Sequence, residues 1–397
     1  MAILKYNMLD PRTYERMVKS SIIKPRVRLF ILHPTETIKE EITDYITVGS
    51  GSLNINYNQG QRRSLNFELN NSDGRFTPSP FGLIWINTKF RLELGMELPN
   101  GDEVYTPAGV FVISNPNTAH IGAQRTVSFQ CYDKFALLDG TLGGVLDSVY
   151  EVPENSSIPN AIQNILSFSS GNGLQIDTKP LLYDSTLETR TQTIISKSPN
   201  DSFGDIIIEL ANMVGADVWY DVEGNLRIQA GQQEVGYFSQ SPLWHYTDHE
   251  LEYISSDITY SFDLVKNRVI IVGCNVNGDY IYEGIAENHN AQSPTRIELI
   301  GTKNLYYEDA NIYSEELANQ RARYELNRLS ILQQTVTMQS TYLIHLDVNK
   351  CIDITDETYG FYKEKFVIQS LNIPLGFDST ITLNCTNVNS LPYYPSV

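Results

Sequence analysis

The residues that could do chemistry in this sequence are six histidines, four cysteines and a large surplus of carboxylates. The histidines are His33, His120, His245, His249, His289 and His345, and no pair of them stands in an HExxH or HxH spacing that would hold zinc. His245 and His249 lie four apart, but in the loop-like stretch Trp244-His-Tyr-Thr-Asp-His249, where surface histidines are the expectation. Cys131, Cys274, Cys351 and Cys385 form no CxxC and have no histidine at ligand spacing. Each sits in or beside an apolar, strand-like run, which predicts buried structural thiols. Asn70-Asn-Ser-Asp-Gly74 brushes against a calcium-loop pattern but lacks the acidic spacing and the distal bidentate glutamate, so a β-turn is expected. Glu315-Glu316 opens a helix, where negative charge suits the dipole. There is no GxSxG, no Walker A and no GxGxxG behind a strand. Trp219-Tyr220 and Tyr306-Tyr307 could stack on sugar rings, although such residues more often face a core on one side and an interface on the other. No catalytic, cofactor-binding or metal-ligating residue is assigned, no cofactor is expected, and trimer-interface or lumen residues are not readable at this level.

Composition sets the frame for these residues. The chain has 397 residues, 41% of them hydrophobic and 19% charged, enough for two to four domains. It carries 29 basic against 47 acidic residues, a net charge of −18. That excludes a nucleic-acid binder of the usual basic kind and an anionic membrane surface, and it suits a wall that an anion passes without sticking. Tyr and Phe number 24 and 15 against 3 Trp, the usage of a β-rich chain. Met1-Ala-Ile-Leu-Lys-Tyr6 does not read as a signal peptide, and no run approaches the length of a membrane span.

The elements that must position these residues are mostly strands. Leu53-Asn-Ile-Asn-Tyr57 and Leu65-Asn-Phe-Glu-Leu69 alternate around a polar turn, which predicts a half-buried antiparallel hairpin. Further strands are expected at Val27–Ile31, Lys89–Leu94, Gly109–Ile113 and Thr126–Tyr132, with a hairpin turn at Asn100-Gly101. Helices are expected at Ile158–Phe168, capped by Ser157 and stopped by Gly171 and Gly173, and from Ser202 through Val214, with Asp205 completing a capping box. The hairpin 216–228 follows, turning at Glu223-Gly-Asn225. A strand at Val265–Gly273, a helix at Glu315–Leu329 behind Ser314, and strands at Val336–Ser340, Cys351–Thr355, Lys365–Leu371 and Ser379–Thr386 complete the pattern. A shift of 205 residues places Leu53, Ile55, Tyr57, Arg63, Leu65 and Phe67 on Ile258, Tyr260, Phe262, Arg268, Ile270 and Val272, a faint internal repeat.

The order of these pieces resembles the central hub proteins of phage tails and baseplates, relatives of the hub portion of type VI secretion spikes. The resemblance rests on Gly51–Tyr57, Leu65–Pro78, Phe203–Ile228, Leu264–Gly273 and the helix Ala318–Leu326. One departure is Val348-Asn-Lys-Cys-Ile352, where the family often has Gly-Asp before the strand. The resemblance implies a fold that is mainly β with α+β insertions: two barrel-like, tail-tube-related β-domains plus smaller α+β domains. The expected boundaries are 1–140 for the first β-domain, 141–236 for an α+β domain, 237–302 and 336–397 for the second β-domain, and 303–335 for a helix-containing connecting segment.

The resemblance further implies a structural, non-enzymatic homotrimer at the tail tip of a virion, assembled in the host cytoplasm. Its ring would join a six-fold tail tube above to a three-fold spike, fibre or lysin protein below, and would be of a short form without a C-terminal lysin. Three copies at −18 carry −54, an acidic lumen through which viral DNA or a tape-measure protein would pass unbound. The alternative is a peripheral carbohydrate-binding receptor protein of the tail tip, and behind it a cell-wall hydrolase, which would need two carboxylates facing each other across a cleft.

Overall fold

The computed structural model describes residues 11–19, 24–98, 100–122, 124–168, 175–191, 193–231, 234–275, 279–309, 312, 314–376 and 380–390. It is mainly β, as expected, with 45% strand and 16% helix. A short helix α1 (Pro11–Val18) leads into β1 (Pro25–Leu32), β2 (Ile38–Glu41), β3 (Ser52–Asn56), β4 (Arg63–Asn70), β5 (Lys89–Glu97), β6 (Glu103–Ile121) and β7 (Gln124–Asp133). The period-2 pattern of β3 and β4 does what it predicts: Leu53, Ile55, Leu65, Phe67 and Leu69 are buried, and the two strands pair antiparallel. The Asn100-Gly101 turn closes β5 onto β6, with Leu98 N donating to Asp102 O at 2.6 Å.

The middle of the chain holds β8 (Tyr150–Val152), α2 (Ile158–Leu166), β9 (Leu182–Tyr183), β10 (Ile195–Lys197), α3 (Phe203–Met213), β11 (Ala216–Tyr220) and β12 (Leu226–Ala230). Both helices start where the capping residues place them. Ser157 Oγ accepts from Asn160 N, and Ser202 and Asp205 form the reciprocal capping box. The expected stop at Gly171 and Gly173 lies outside the described residues. Ile162, Ile165, Ile206, Ile207 and Leu210 meet Val218, Tyr220, Leu226 and Ile228 in a core separate from that of the large sheet.

The last third comprises α4 (Glu234–Ser239), β13 (His245–Thr247), β14 (Tyr253–Ser261), β15 (Arg268–Cys274), β16 (Tyr280–Glu287), α5 (Ile297–Ile300), β17 (Asn304–Asp309), α6 (Glu315–Leu329), β18 (Gln333–Ser340), β19 (Cys351–Asp356), β20 (Phe361–Pro374) and β21 (Ile381–Asn387). Thirteen strands form one sheet in the order β14-β18-β21-β20-β3-β4-β7-β6-β5-β1-β2, with β19 on β20 and β13 on β19. One hydrophobic cluster runs its length, from Leu29 and Phe67 to Ile352 and Leu383. The two β-regions are therefore continuous through the β3–β20 pair, and among the described residues no closed barrel is present.

The sheet contains the same strand plan twice. The order β3-β4-β7-β6-β5-β1 matches β14-β18-β21-β20-β19-β13, with the strands in the same sequence order. Register matches too: the rung Leu53–Leu65–Cys131–Ile113 corresponds to Ile258–Val336–Cys385–Ile368. Both β6 and β20 are irregular immediately after that rung, at Ile113/Asn115 and Ile368/Ser370. Ile113 N donates to Thr88 O and Ile368 N to Lys350 O, each at 3.0 Å, and the preceding Asn87 and Asn349 share a left-handed conformation at φ 63° and 60°. The units differ at the last strand, since β1 pairs antiparallel and β13 parallel.

The repeat expected from sequence is thus half right. Leu53 does correspond to Ile258, but Leu65 corresponds to Val336, and β15 is no second arm of a hairpin. β15 and β16, grouped by pattern with the second β-domain, pair with each other and with β17 in a separate sheet covered by α6. The reason lies just ahead of β15. Asn267 is fully buried, donates to Thr295 O and Gly301 O, and accepts from Lys303 N at 2.6 Å, so the chain is pinned into the inserted unit before the strand begins. Helix α6 lies directly on Gly284 of β16, where a Cβ would overlap the Ala318 backbone.

Helix α1 was not legible as an element, yet it is anchored firmly. Tyr14 OH accepts from Ile344 N at 3.2 Å and donates to His345 Nδ1 at 2.7 Å. Burial pushes the His345 imidazole down to about 4. A depressed histidine favours the fold while neutral, so this contribution is complete above about pH 6.5 and is lost as pH falls toward 4. Wild-type protein should lose up to about 3 kcal/mol across that window in denaturant titrations, and His345→Gln should flatten the slope. Gly284→Ala should destabilise by roughly 1–3 kcal/mol in the same assay, because helix and strand must separate to admit the methyl group.

Candidate functional site: an assembly interface

The chemistry-bearing residues are placed apart and used structurally. His245 Nδ1 contacts Asp353 at 2.6 Å, whereas His249 faces Asp248 at 3.5 Å. All four cysteines are buried thiols outside any disulfide, as expected. In Asn70–Gly74 the oxygens serve the turn: Asn70 Oδ1 accepts from Ser72 N, Asn71 Oδ1 from Phe76 N, and Asp73 Oδ1 from Arg75 N. Glu315 and Glu316 occupy the first turn of α6. Among the described residues no group of three or more His, Cys, Asp or Glu is arranged to hold a metal ion, and no helix is long and apolar enough to cross a membrane. Trp219 and Tyr220 form no sugar platform: Tyr220 is buried and donates to Asp177, and Trp219 lies under the Arg62 guanidinium. Tyr306 and Tyr307 are exposed on β17.

The functional geometry is instead a junction and two edges. At the junction, the β3–β4 turn touches all three parts of the chain. Arg63, buried to 2% exposure, donates from one terminal nitrogen to Tyr220 O at 3.0 Å and from the other to both oxygens of Asp347 at 2.8 Å. Asp133 Oδ2 accepts from the backbone of Arg62 and Arg63, 2.8 Å each, and holds the turn. Arg62 stacks between Trp219 at 4.2 Å and Tyr57 at 4.9 Å. Gly60, at φ 79° and against the Phe135 ring, admits no side chain. Beside it a buried cluster joins the first sheet unit to the α+β unit: Lys134 Nζ meets Glu36 at 2.6 Å and Asp177 at 2.7 Å, and Lys89 and Lys179 also reach Glu36. Burial opposes ionisation of Glu36, but Lys134 and Lys89 outweigh it and hold the carboxyl at about 2. The internal repeat singled out Arg63 but gave it no role, and no sequence pattern flagged Asp133, Lys134, Glu36 or Asp347; only the oddity of charges in apolar runs could have done so.

The edges follow from the repeat. β3 pairs on one side with β4 and on the other with β20, in the register Asn56↔Ser370 to Ser52↔Pro374. Its counterpart β14 pairs only with β18 among the described residues, and the outer half of β6, counterpart of the β20 segment, pairs only with β7. Burial reports the difference. Ile55 is 4% exposed and its counterpart Tyr260 is 45% exposed, with Ile254 and Phe262 bare beside it. The chain thus shows one completed join between like units, and the two segments that correspond to its halves, the outer side of β14 and the outer half of β6, are unpaired among the described residues. Arg63→Ala should cost about 3–5 kcal/mol, since it leaves the buried end of Asp347 and the Tyr220 carbonyl without their partner; equilibrium unfolding measures it.

No protein-family model matches the chain, and no curated protein sequence matches it. Solved structures do. The tail protein from Neisseria meningitidis MC58 aligns over 94% of this chain and 100% of its own at TM-score 0.60 and 10% identity. The prophage MuSo2 43 kDa tail protein from Shewanella oneidensis aligns over 93% and 99% at TM-score 0.61 and 11% identity. A chain of the half-lidded Francisella PdpA-VgrG complex aligns over 97% of this chain and 62% of its own at TM-score 0.53 and 9% identity. At such identities the likeness is one of fold, over nearly the whole length: this chain has the fold of phage tail and hub-like proteins.

Proposed function

We propose that the chain is a structural, non-enzymatic hub of a phage tail tip, in which copies join head to tail and three of them close a ring of six like units. The observation that supports this best is the pair of complementary unpaired edges with their completed template inside the chain. Transferring the intrachain register sets Asn115 against Ser261, Asn117 against Thr259 and Ala119 against Asp257 of the next copy. A contact of this kind uses two different patches, so it generates either a closed ring or an open filament. Pro116 stands where Leu371 does and cannot donate, so the ladder would be one bond short there, a device that also discourages promiscuous pairing of the free edge.

The tail proteins that share the fold support the placement in a virion, and a ring of this plan would join a six-fold tube above to a three-fold spike or fibre below. The net charge of −18 per copy supports an acidic lumen through which DNA or a tape-measure protein passes unbound. In the same reading the two six-strand units are the two ring modules, and the α+β unit and the β15–β17/α6 insertion are appended to them.

At micromolar concentration the purified chain should have three times the mass of 44.9 kDa. Asn117→Cys with Thr259→Cys should give an interchain disulfide, because these positions stand where Asn54 and Asn372 hydrogen-bond side chain to side chain within the chain. A stable monomer with no interchain disulfide overturns the reading, and an open filament contradicts the number of copies.

A further inference from the structure

The repeat has a second consequence, carried by the segment ahead of β5. In the second unit the corresponding segment, ahead of β19, is apolar and covered: Tyr342, Leu343, Ile344, Leu346 and Val348 are all under 9% exposed. Part of the cover is the first unit, through Asp347 on Arg63 and Tyr342 OH near Arg26 O at 3.5 Å. In the first unit the segment is equally apolar and bare. Phe81 is 100% exposed, Ile86 73% and Trp85 42%, while Ile84 is sunk in the core and Leu83 packs partly against it.

Its exposure is built in. Ser79 N donates to Ile84 O and Gly82 N to Ser79 O, both at 3.0 Å. Thr88 Oγ1 accepts from Trp85 N at 2.8 Å and donates to Trp85 O at 2.7 Å. Such a hydrogen-bonded loop holds large apolar side chains in water at a standing cost that a partner would relieve.

The partner surface follows from the left-handed asparagines. With Asn87 on Asn349, Trp85 and Ile86 stand where Asp347 and Val348 stand. Asp347 meets Arg63, and the counterpart of Arg63, two residues ahead of the matched Val336, is Gln334. Gln334 lines a groove of about 690 Å³ with Leu326, Leu332, Glu364 and Asn387, between the second unit and α6. We infer that Trp85 and Ile86 of one copy seat in this groove of the next copy, an apolar counterpart of the intrachain Asp347–Arg63 contact; the inference rests on the head-to-tail reading. The indole N–H would share the Glu364 carboxylate, whose Oε1 already accepts from Asn387 and Asn389, the kind of pairing a buried tryptophan needs.

The test uses the full chain with Trp85→Cys and Gln334→Cys and a bismaleimide cross-linker; the native cysteines are buried and give little background. Interchain ladders that stop at three copies are expected from the double variant and not from either single variant. Trp219 and Trp244 are shielded, so the exposed indole is Trp85, and its emission should shift to the blue on assembly. Trp85→Ala should weaken assembly about thirtyfold or more, as loss of a buried interface aromatic does. If Asn117→Cys with Thr259→Cys joins copies while the Trp85/Gln334 pair does not and the Trp85 emission stays red, the inference is overturned and the ring reading stands. If neither pair joins copies and the mass is that of one chain, both fall.

Discussion

A strand at the edge of a sheet presents a row of N–H and C=O groups that must be paired, covered or blunted. In this chain β3 is paired on both sides, whereas among the described residues the outer side of β14 and the outer half of β6 are left open, as are the short terminal strands β2 and β13. β3 would be an edge of the first unit, but it lies against β20, and the two units become one sheet with one core. The contacts of the β3–β4 turn fix the end of that join. The β3–β4 turn is held by Asp133, pressed into the α+β unit through Gly60 and Arg62, and tied to the second unit by the forked contact of Arg63 with Asp347.

Buried charges of this kind are weak evidence for stability, because the cost of removing them from water offsets much of their attraction. Their role here is better read as placement. Arg63 offers a planar set of donors that fits one carboxylate and one carbonyl at defined angles, and an apolar contact of the same size would tolerate sliding. The Lys134–Glu36–Asp177 cluster does the same between the first unit and the α+β unit. A one-residue slip at β3–β20 would turn the buried side chains of the slipped strand outward, so one continuous core across the two units needs them rigidly set.

Much of the fold was legible in the sequence where local rules decide it. Alternation gave β3, β4 and β21, and capping residues gave α3 and α6 almost to the residue. The repeat was visible at Leu53 and Ile258 but was carried past its end, because Arg268 and Ile270 mimic a returning strand while Asn267 turns the chain into an insertion. Strands β16 and β17 escaped because their apolar residues are exposed on one face and their partners lie across the insertion. The unpaired edges were not legible at all. An edge is defined by what fails to pair with it: Ile55 lies on a strand paired on both sides, whereas Tyr260 lies on one that pairs only with β18 among the described residues and is 45% exposed.

In the proposed ring the outer edge of β14 pairs with the outer half of β6 in another copy. Electron cryomicroscopy of the purified, concentrated chain tests it most directly. Closed particles of three copies are expected, in which backbone hydrogen bonds run from Tyr253–Ser261 to Asn115–Ile121 of the neighbour and continue the sheet around the ring. Particles in which both segments face solvent, or in which copies meet through other surfaces, would contradict it.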